Sequence, residues 1–246
     1  MDWFALSGAV LAVAVASFVR GLTGFGFAIV ATPLLALVYP PAVAVPVATL
    51  LQIPSGLPTV VRDWDDTNFR AATIAWLGGM PALIPGVFLL GALPADVMRL
   101  IVGGAVVFST VALALGPKLD RDPKSYELVG AGALSGLMQG AVAMAGPPII
   151  LLILSSSWNA ARCRATLSFI FLLLGTTSLV FGAIHGIVNK ESVMIAALTV
   201  PGLLLGQAIG THLFVRIDGK RYRSVSTICV ATAGLLVVVR GLMSLF

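Results

Sequence analysis

The sequence predicts an all-α polytopic membrane protein of two inverted repeats, each with a Gly/Pro-broken, hairpin-like first segment followed by three transmembrane helices. Three observations carry the prediction. Of 246 residues, 59% are hydrophobic and only 10% charged, and apolar runs long enough to cross a bilayer recur to the last residue, a composition suited to lipid. Two of those runs are interrupted by glycine and proline at corresponding places. The basic residues, which give a formal charge of +5, fall mostly in short loops, where they report topology rather than a polyanionic partner. The chain reads as one integral membrane domain, 1–246, with repeat 1 at about 1–116 and repeat 2 at about 126–246.

The first segment spans 3–38 and is broken within "SFVRGLTGFGFAIVATPLL", residues 17–35, by an arginine and three glycines. Backbone groups freed at such a depth need protein or a water-filled cavity, and an arginine there costs several kcal/mol unless something polar meets it. The break is therefore a packing seam or a site. At 1.5 Å per residue its two arms are about 24 Å each, against a hydrocarbon core of roughly 30 Å. A single crossing, a re-entrant hairpin and two tilted crossings all stay open. Segments 42–61, 71–93 and 97–115 are ordinary spans. The fifth, 128–154, repeats the broken pattern with shorter arms, and 165–188, 192–215 and 224–246 complete the second half.

Charge counting chooses between parities. If segments one and five each cross once, Lys and Arg divide seven against seven, which is no signal. If both fold back, Arg62, Arg70, Lys118, Arg121, Lys124, Arg162, Arg164, Arg216, Lys220, Arg221 and Arg223 share one face against Arg99, Lys190 and Arg240 on the other, eleven to three, with Arg20 at the break. The positive-inside rule then places the basic loops in the cytoplasm and both termini outside. The halves also align: "GLTGFGFAIVATPLL" lies over "GLMQGAVAMAGPPII", Gly21 on Gly136 and Pro33 on Pro148, with Gln139 facing Gly24. Further along, Gly86 lies on Gly210 and Arg99 on Arg223. Each half changes sides an odd number of times, so the second is inverted. Inverted repeats with broken helices at matching positions point to a transporter whose site lies at the repeat interface.

At these residues the chain resembles the TauE/SafE family of sulfite exporters, also called the 4-toluene sulfonate uptake permease family. The resemblance rests on the Gly-rich break and following proline of each half ("GLTGFGFAIVATP", "GLMQGAVAMAGPP"), on "RDWDDTNFRAA", on "RCRATLSFIFLL" and on "VPGLLLGQAIGTHL", and covers nearly the whole chain. It implies a secondary transporter or permease in a bacterial inner membrane, moving a small sulfur-containing or organic anion such as sulfite, an organosulfonate or a related carboxylate. One departure bears on size: Phe25 and Phe27 interleave the first break and Gln139, Ala141 and Ala143 the second, which suits a larger or less hydrophilic anion than sulfite.

The residues themselves offer a route to binding such an ion. A half-helix that starts after a break exposes N–H groups and a positive dipole end, and glycine lets the backbone approach. The candidate substrate-binding residues are Arg20, Thr23, Gly24, Gly26, Thr32, Gln139, Gly140, Gly146 and Pro147. Arg20 either adds charge and a forked pair of hydrogen bonds or snorkels to lipid phosphate at a hairpin tip. The glycines, threonines and glutamine either coordinate the anion or serve helix packing. Gln52 and Gln207 are further polar residues inside apolar runs. His212 is the candidate coupling group, with an interfacial histidine as the bland alternative.

All ten acidic residues fall in loops or at segment ends, so no intramembrane carboxylate is available as a proton relay or sodium ligand. Cys163, read as a loop residue, and Cys229 lack metal-ligand spacing. "MDWFALSG" lacks the basic start of a cleavable signal, so the N-terminus is expected to be retained. An intramembrane enzyme would need a ligand cluster or a nucleophile with its base, and "GLTGFGFA" lacks the lysine and strand context of a nucleotide loop. No catalytic residue, metal, cofactor or nucleic-acid partner is expected. The expected partners are a small anion and the lipid bilayer, with a homo-oligomer left open. The alternative function is a non-transport membrane scaffold or assembly factor.

Overall fold

The structure, a computed structural model, describes residues 3–24, 26–115, 119 and 121–214. Among them the helices are α1 (Trp3–Thr23), α2 (Phe27–Ala36), α3 (Pro41–Arg62), α4 (Phe69–Ala92), α5 (Ala95–Leu115), α6 (Ser125–Val142), α7 (Gly146–Ser155), α8 (Ala160–Ile184) and α9 (Lys190–Phe214), with a 3₁₀ turn at Trp64–Asp66. There is no strand among the described residues. Of these helices α1, α3, α4, α8 and α9 are long and apolar enough to cross a membrane. Segment 224–246, the loop around Lys220 and Cys229 lie outside the described residues.

Both broken segments divide unequally. The first gives 21 residues in α1 and 10 in α2, about 31 Å and 15 Å of helix, not two arms of equal length. The helix runs through Gly21 and stops only at Gly24 (φ +80°) and Gly26 (φ +88°), left-handed positions where glycine carries no Cβ penalty. The fifth segment breaks likewise into 18 and 10 residues, with Ala143 left-handed at φ 57°. Elsewhere local chemistry sets the boundaries. Pro40 and Pro41 start α3, and the Asn68 carboxamide accepts the Ala71 N–H to cap α4. Asn159 caps α8 by accepting the Arg162 N–H at 2.8 Å. That cap starts α8 ahead of the apolar run at 165, so Cys163 and Arg164, read from sequence as loop residues, are helical and buried.

Long arms pack across the halves: α1 chiefly against α9, and α6 chiefly against α4. The two seams are built alike. Gly202, Gly206 and Gly210 of α9 lie against the backbone at Val10, Ala14 and Phe18, and Gly132, Gly136 and Gly140 of α6 lie against Ala75, Gly79 and Leu83. In every case an added Cβ would strike a carbonyl oxygen, and the four-residue steps run in the same direction on both partners, so each pair is parallel. This is close small-residue packing of the kind that holds membrane helices together where lipid supplies no hydrophobic drive.

Between the seams, α3 and α8 run antiparallel. Asp63 lies by Arg164 (3.5 Å), Gly56 by Leu172 and Gln52 by Gly175. The turn after α3, the approach to α6 and the α7–α8 connection consequently share one end of the molecule. They are joined there by Asn68 N–H to Thr166 Oγ1 (3.0 Å), Leu119 N–H to the Ser155 carbonyl (2.8 Å) and Trp158 Nε1 to Asp122 Oδ1 (2.9 Å). At the opposite end the Phe88 and His185 rings meet at 5.1 Å.

Candidate functional site

The two breaks are built on one plan. At the first, the Gly24 N–H donates to the Arg20 carbonyl (2.6 Å), and the Gly24 carbonyl accepts from Ser168 Oγ on α8 (2.9 Å). At the second, the Ala143 N–H donates to the Gln139 carbonyl (2.9 Å), and the Ala143 carbonyl accepts from Gln52 Nε2 on α3 (2.8 Å). Each left-handed residue is thus tied to the middle of the other half. Matching contacts set Gly24 opposite Ala143, Arg20 opposite Gln139 and Gly21 opposite Gly140. That register lies one helical turn on from the sequence alignment, which put Gly21 on Gly136 and Gly24 on Gln139.

After each break a ten-residue half-helix begins, and the two starts meet at one cavity. It is lined by Gly26, Phe27, Ala28 and Ile29 from the start of α2, Met144, Ala145 and Gly146 from the start of α7, and Arg20, Gln52 and Phe171. About 20 Å³ is open to the centres of water-sized molecules, where one water needs about 10–15 Å³. The cavity as it stands has room for about one water. Among the described residues no side chain caps α2, so the N–H groups of Phe27, Ala28 and Ile29 have neither an intrahelical acceptor nor a side-chain cap there. The α7 start is poorer in donors. Pro147 and Pro148 have no N–H, the Ile149 N–H donates to Ser135 Oγ (3.2 Å) and the Ala145 N–H to Gln139 Oε1 (3.2 Å). Of residues 146–148 Gly146 alone carries an amide hydrogen.

Arg20 is 3% exposed, in the last turn of α1. Its Nε donates to the Ser55 carbonyl (3.1 Å), which also accepts from Gln207 Nε2 (2.9 Å). Pro54 and Pro58 lie beside Ser55 in α3 and remove two helical N–H donors there. The arginine is thus held at the cavity wall by backbone, not extended toward lipid headgroups. A buried guanidinium is costly without an opposite charge, and among the described residues no carboxylate lines this cavity.

The other expected residues scatter around it. Gly24 lies just outside, where a Cβ would fall 2.6 Å from Arg164 Nε. Thr32 is fully buried on α2, and its hydroxyl has no partner among the described residues. Thr23 closes α1, and its side chain lies outside the described part of the structure, as does Phe25 altogether. Gln139 exchanges amide bonds with Gln52 (3.0 and 3.4 Å) while holding the Ala145 N–H, so it braces the second break. Gly140 sits in the α4–α6 seam and borders a second small cavity with Thr49 and Ser178. Pro147 is buried on α7, off the cavity wall. His212 is exposed, in the last turn of α9, off the cavity wall but next to Thr211, whose backbone lies against Gly21 of α1.

Phe27, Ala28, Ile29, Gln52, Met144, Ala145 and Phe171 line the cavity and Arg164 lies beside it, and none of these was assigned to it from sequence. Gln52 carried a legible signal as an amide in an apolar run, and Arg164 carried one in the Asn159 cap that precedes it by five residues.

A family described as "Sulfite exporter TauE/SafE" matches residues 9–237. The protein named "Probable sulfite/organosulfonate exporter TauE" from Cupriavidus necator is 25% identical over 203 residues, which cover 79% of this chain and 78% of that protein. No solved structure matches the chain.

Proposed function

Because the chain belongs to the sulfite exporter TauE/SafE family, a family of membrane transporters, we propose that it carries a small sulfur-containing or organic anion across the bacterial inner membrane, through the cavity where its two broken segments meet. The carrying observation is the convergence of a buried arginine and the uncapped amides of α2 on one cavity that no carboxylate among the described residues lines. Those donors complement an oxyanion: the half-helix start supplies N–H groups and dipole, and the guanidinium supplies full charge. Sulfite, organosulfonates and related carboxylates share the needed chemistry, a flat or pyramidal cluster of anionic oxygens. The name of the Cupriavidus necator relative favours export.

The halves act as two inverted repeats, about 1–116 and about 126–246, on this reading. Antiparallel α3 and α8 and the matched cross-half bonds at Gly24 and Ala143 support it. So does the gathering of basic loops at one end, which the positive-inside rule places in the cytoplasm.

The test is flux and affinity of purified protein, in liposomes and in detergent, with radiolabelled sulfite and methanesulfonate. Arg20→Gln keeps donors and removes charge, so affinity should fall by about one to two orders of magnitude, the loss of a charge-assisted bond of about 1.5–3 kcal/mol. Arg20→Lys should rescue part of it, since an ammonium does not reproduce the planar fork. Unchanged affinity in a folded Arg20→Gln protein refutes the site. No anion movement by the unaltered protein refutes transport and leaves the scaffold reading.

A further inference from the structure

We infer that Arg164 is a second anion contact, a relay between the cavity and the charged end of the molecule, with Asp63 as its internal stand-in for the passing ion. The inference rests on the anion reading above and extends the route beyond the cavity.

Arg164 stands in the second turn of α8 with its side chain 4% exposed. It wraps the first break: a Cβ on Gly24 would meet its Cγ, and would lie 2.6 Å from Nε and 2.8 Å from Cδ. The Arg20 guanidinium lies against Gly56 and the Ser55 carbonyl, about two turns of α3 before Asp63, so two buried guanidinium groups stand in succession beside α3 and repel each other. On its other side Arg164 Nε faces Asp63 Oδ2 at 3.5 Å, longer than the usual 2.7–2.9 Å of a charge-assisted bond. Asp63 is already gripped through both oxygens by half-exposed Arg62, at 2.6 and 3.0 Å. An incoming anion can therefore take Arg164 while Asp63 stays satisfied by Arg62. The arrangement sets out successive cationic positions, Arg20 then Arg164, toward the end where Arg62, Arg121 and Arg162 lie.

A purely structural ion pair and a relay differ in how Asp63 behaves. Flux of radiolabelled sulfite and methanesulfonate in liposomes, and equilibrium affinity in detergent, are measured for Arg164→Gln, Arg164→Lys, Asp63→Asn and Arg20→Gln, each with its melting temperature. Arg164→Gln should cut flux about tenfold or more while equilibrium affinity, set by Arg20, changes less than about threefold; Arg164→Lys should recover part of the flux. Asp63→Asn removes the competing carboxylate, so flux at low anion concentration should rise about threefold to tenfold. Flux falling in parallel in Asp63→Asn and Arg164→Gln means that the pair only holds α8 to α3, and overturns the inference. Wild-type flux in Arg164→Gln with binding lost in Arg20→Gln also overturns it, leaving the cavity intact. No binding by the unaltered protein overturns both readings.

Discussion

Replacing Gln139 with leucine tests whether the second break is braced by an amide pair. Gln139 is fully buried, trades two bonds with Gln52 at 3.0 and 3.4 Å, and accepts the Ala145 N–H at 3.2 Å. Side-chain hydrogen bonds between membrane helices average about 0.6 kcal/mol, so three amount to about 2 kcal/mol. The substitution also strands the Gln52 carbonyl oxygen and the Ala145 N–H, adding about 1–2 kcal/mol. At about 2–4 °C per kcal/mol for a chain of this size, the melting temperature should fall by about 6–15 °C. Gln52→Leu should cost a similar amount, because it also frees the Ala143 carbonyl. The double variant strands fewer groups than the two single changes together and should lie about 1–2 kcal/mol above their sum. The assay is thermal unfolding in detergent, followed by tryptophan fluorescence, for the four proteins of the cycle. Additivity within about 0.5 kcal/mol would mean that the two amides do not act as a unit. An affinity loss in folded Gln139→Leu as large as that in Arg20→Gln would return Gln139 to the anion.

The seam and the topology can be tested as directly. Gly136→Ala places a Cβ 2.6 Å from the Gly79 carbonyl carbon and against its oxygen, so it should destabilise the protein by about 1–3 kcal/mol. Gly130→Ala on the same helix meets nothing within 4 Å and should stabilise it by about 0.5–1 kcal/mol; equal melting temperatures would refute the α4–α6 packing. In a background lacking Cys163 and Cys229, single cysteines at Asp65 and Asn159 should both react with an impermeant thiol reagent from the cytoplasmic side, because Asp63 and Arg164 are 3.5 Å apart. Labelling from opposite sides would break the antiparallel α3–α8 arrangement.

Apolar run length made the helices legible, and the glycines at 21, 24 and 26 marked the first break, because glycine takes the left-handed turns at 24 and 26 without a Cβ penalty. The charge split grouped loops around Asp65 and Asn159 that the structure ties together at one end. What escaped was register. Sparse identities in a glycine-rich chain fit more than one alignment, and Gly21 resembles a break residue in sequence while in space it is a seam residue under Gly210. Only contacts separate those roles, and they set Arg20, not Gly24, opposite Gln139. Arg164 escaped for a different reason. Charge counting treats every arginine near a run's edge as a loop residue, whereas Asn159 caps the helix before it and Asp63 meets it inside. Gln139 was left between anion contact and helix packing, because nothing in one stretch of sequence announces the facing amide of Gln52.

The crossed seams impose an order on biosynthesis. The small-residue face of α1 is covered by α9, yet Gly202 follows Val10 by about 190 residues, which at about 5–20 residues per second separates their emergence from the ribosome by roughly 10–40 s. The Arg20 guanidinium waits far less, since Ser55, whose carbonyl it binds, is 35 residues downstream and emerges after about 2–7 s at the same rates. The nascent chain can therefore bury its most expensive charge early while its glycine seam stays open until nearly all of the described chain is made, and membrane chaperones have that interval in which to engage α1.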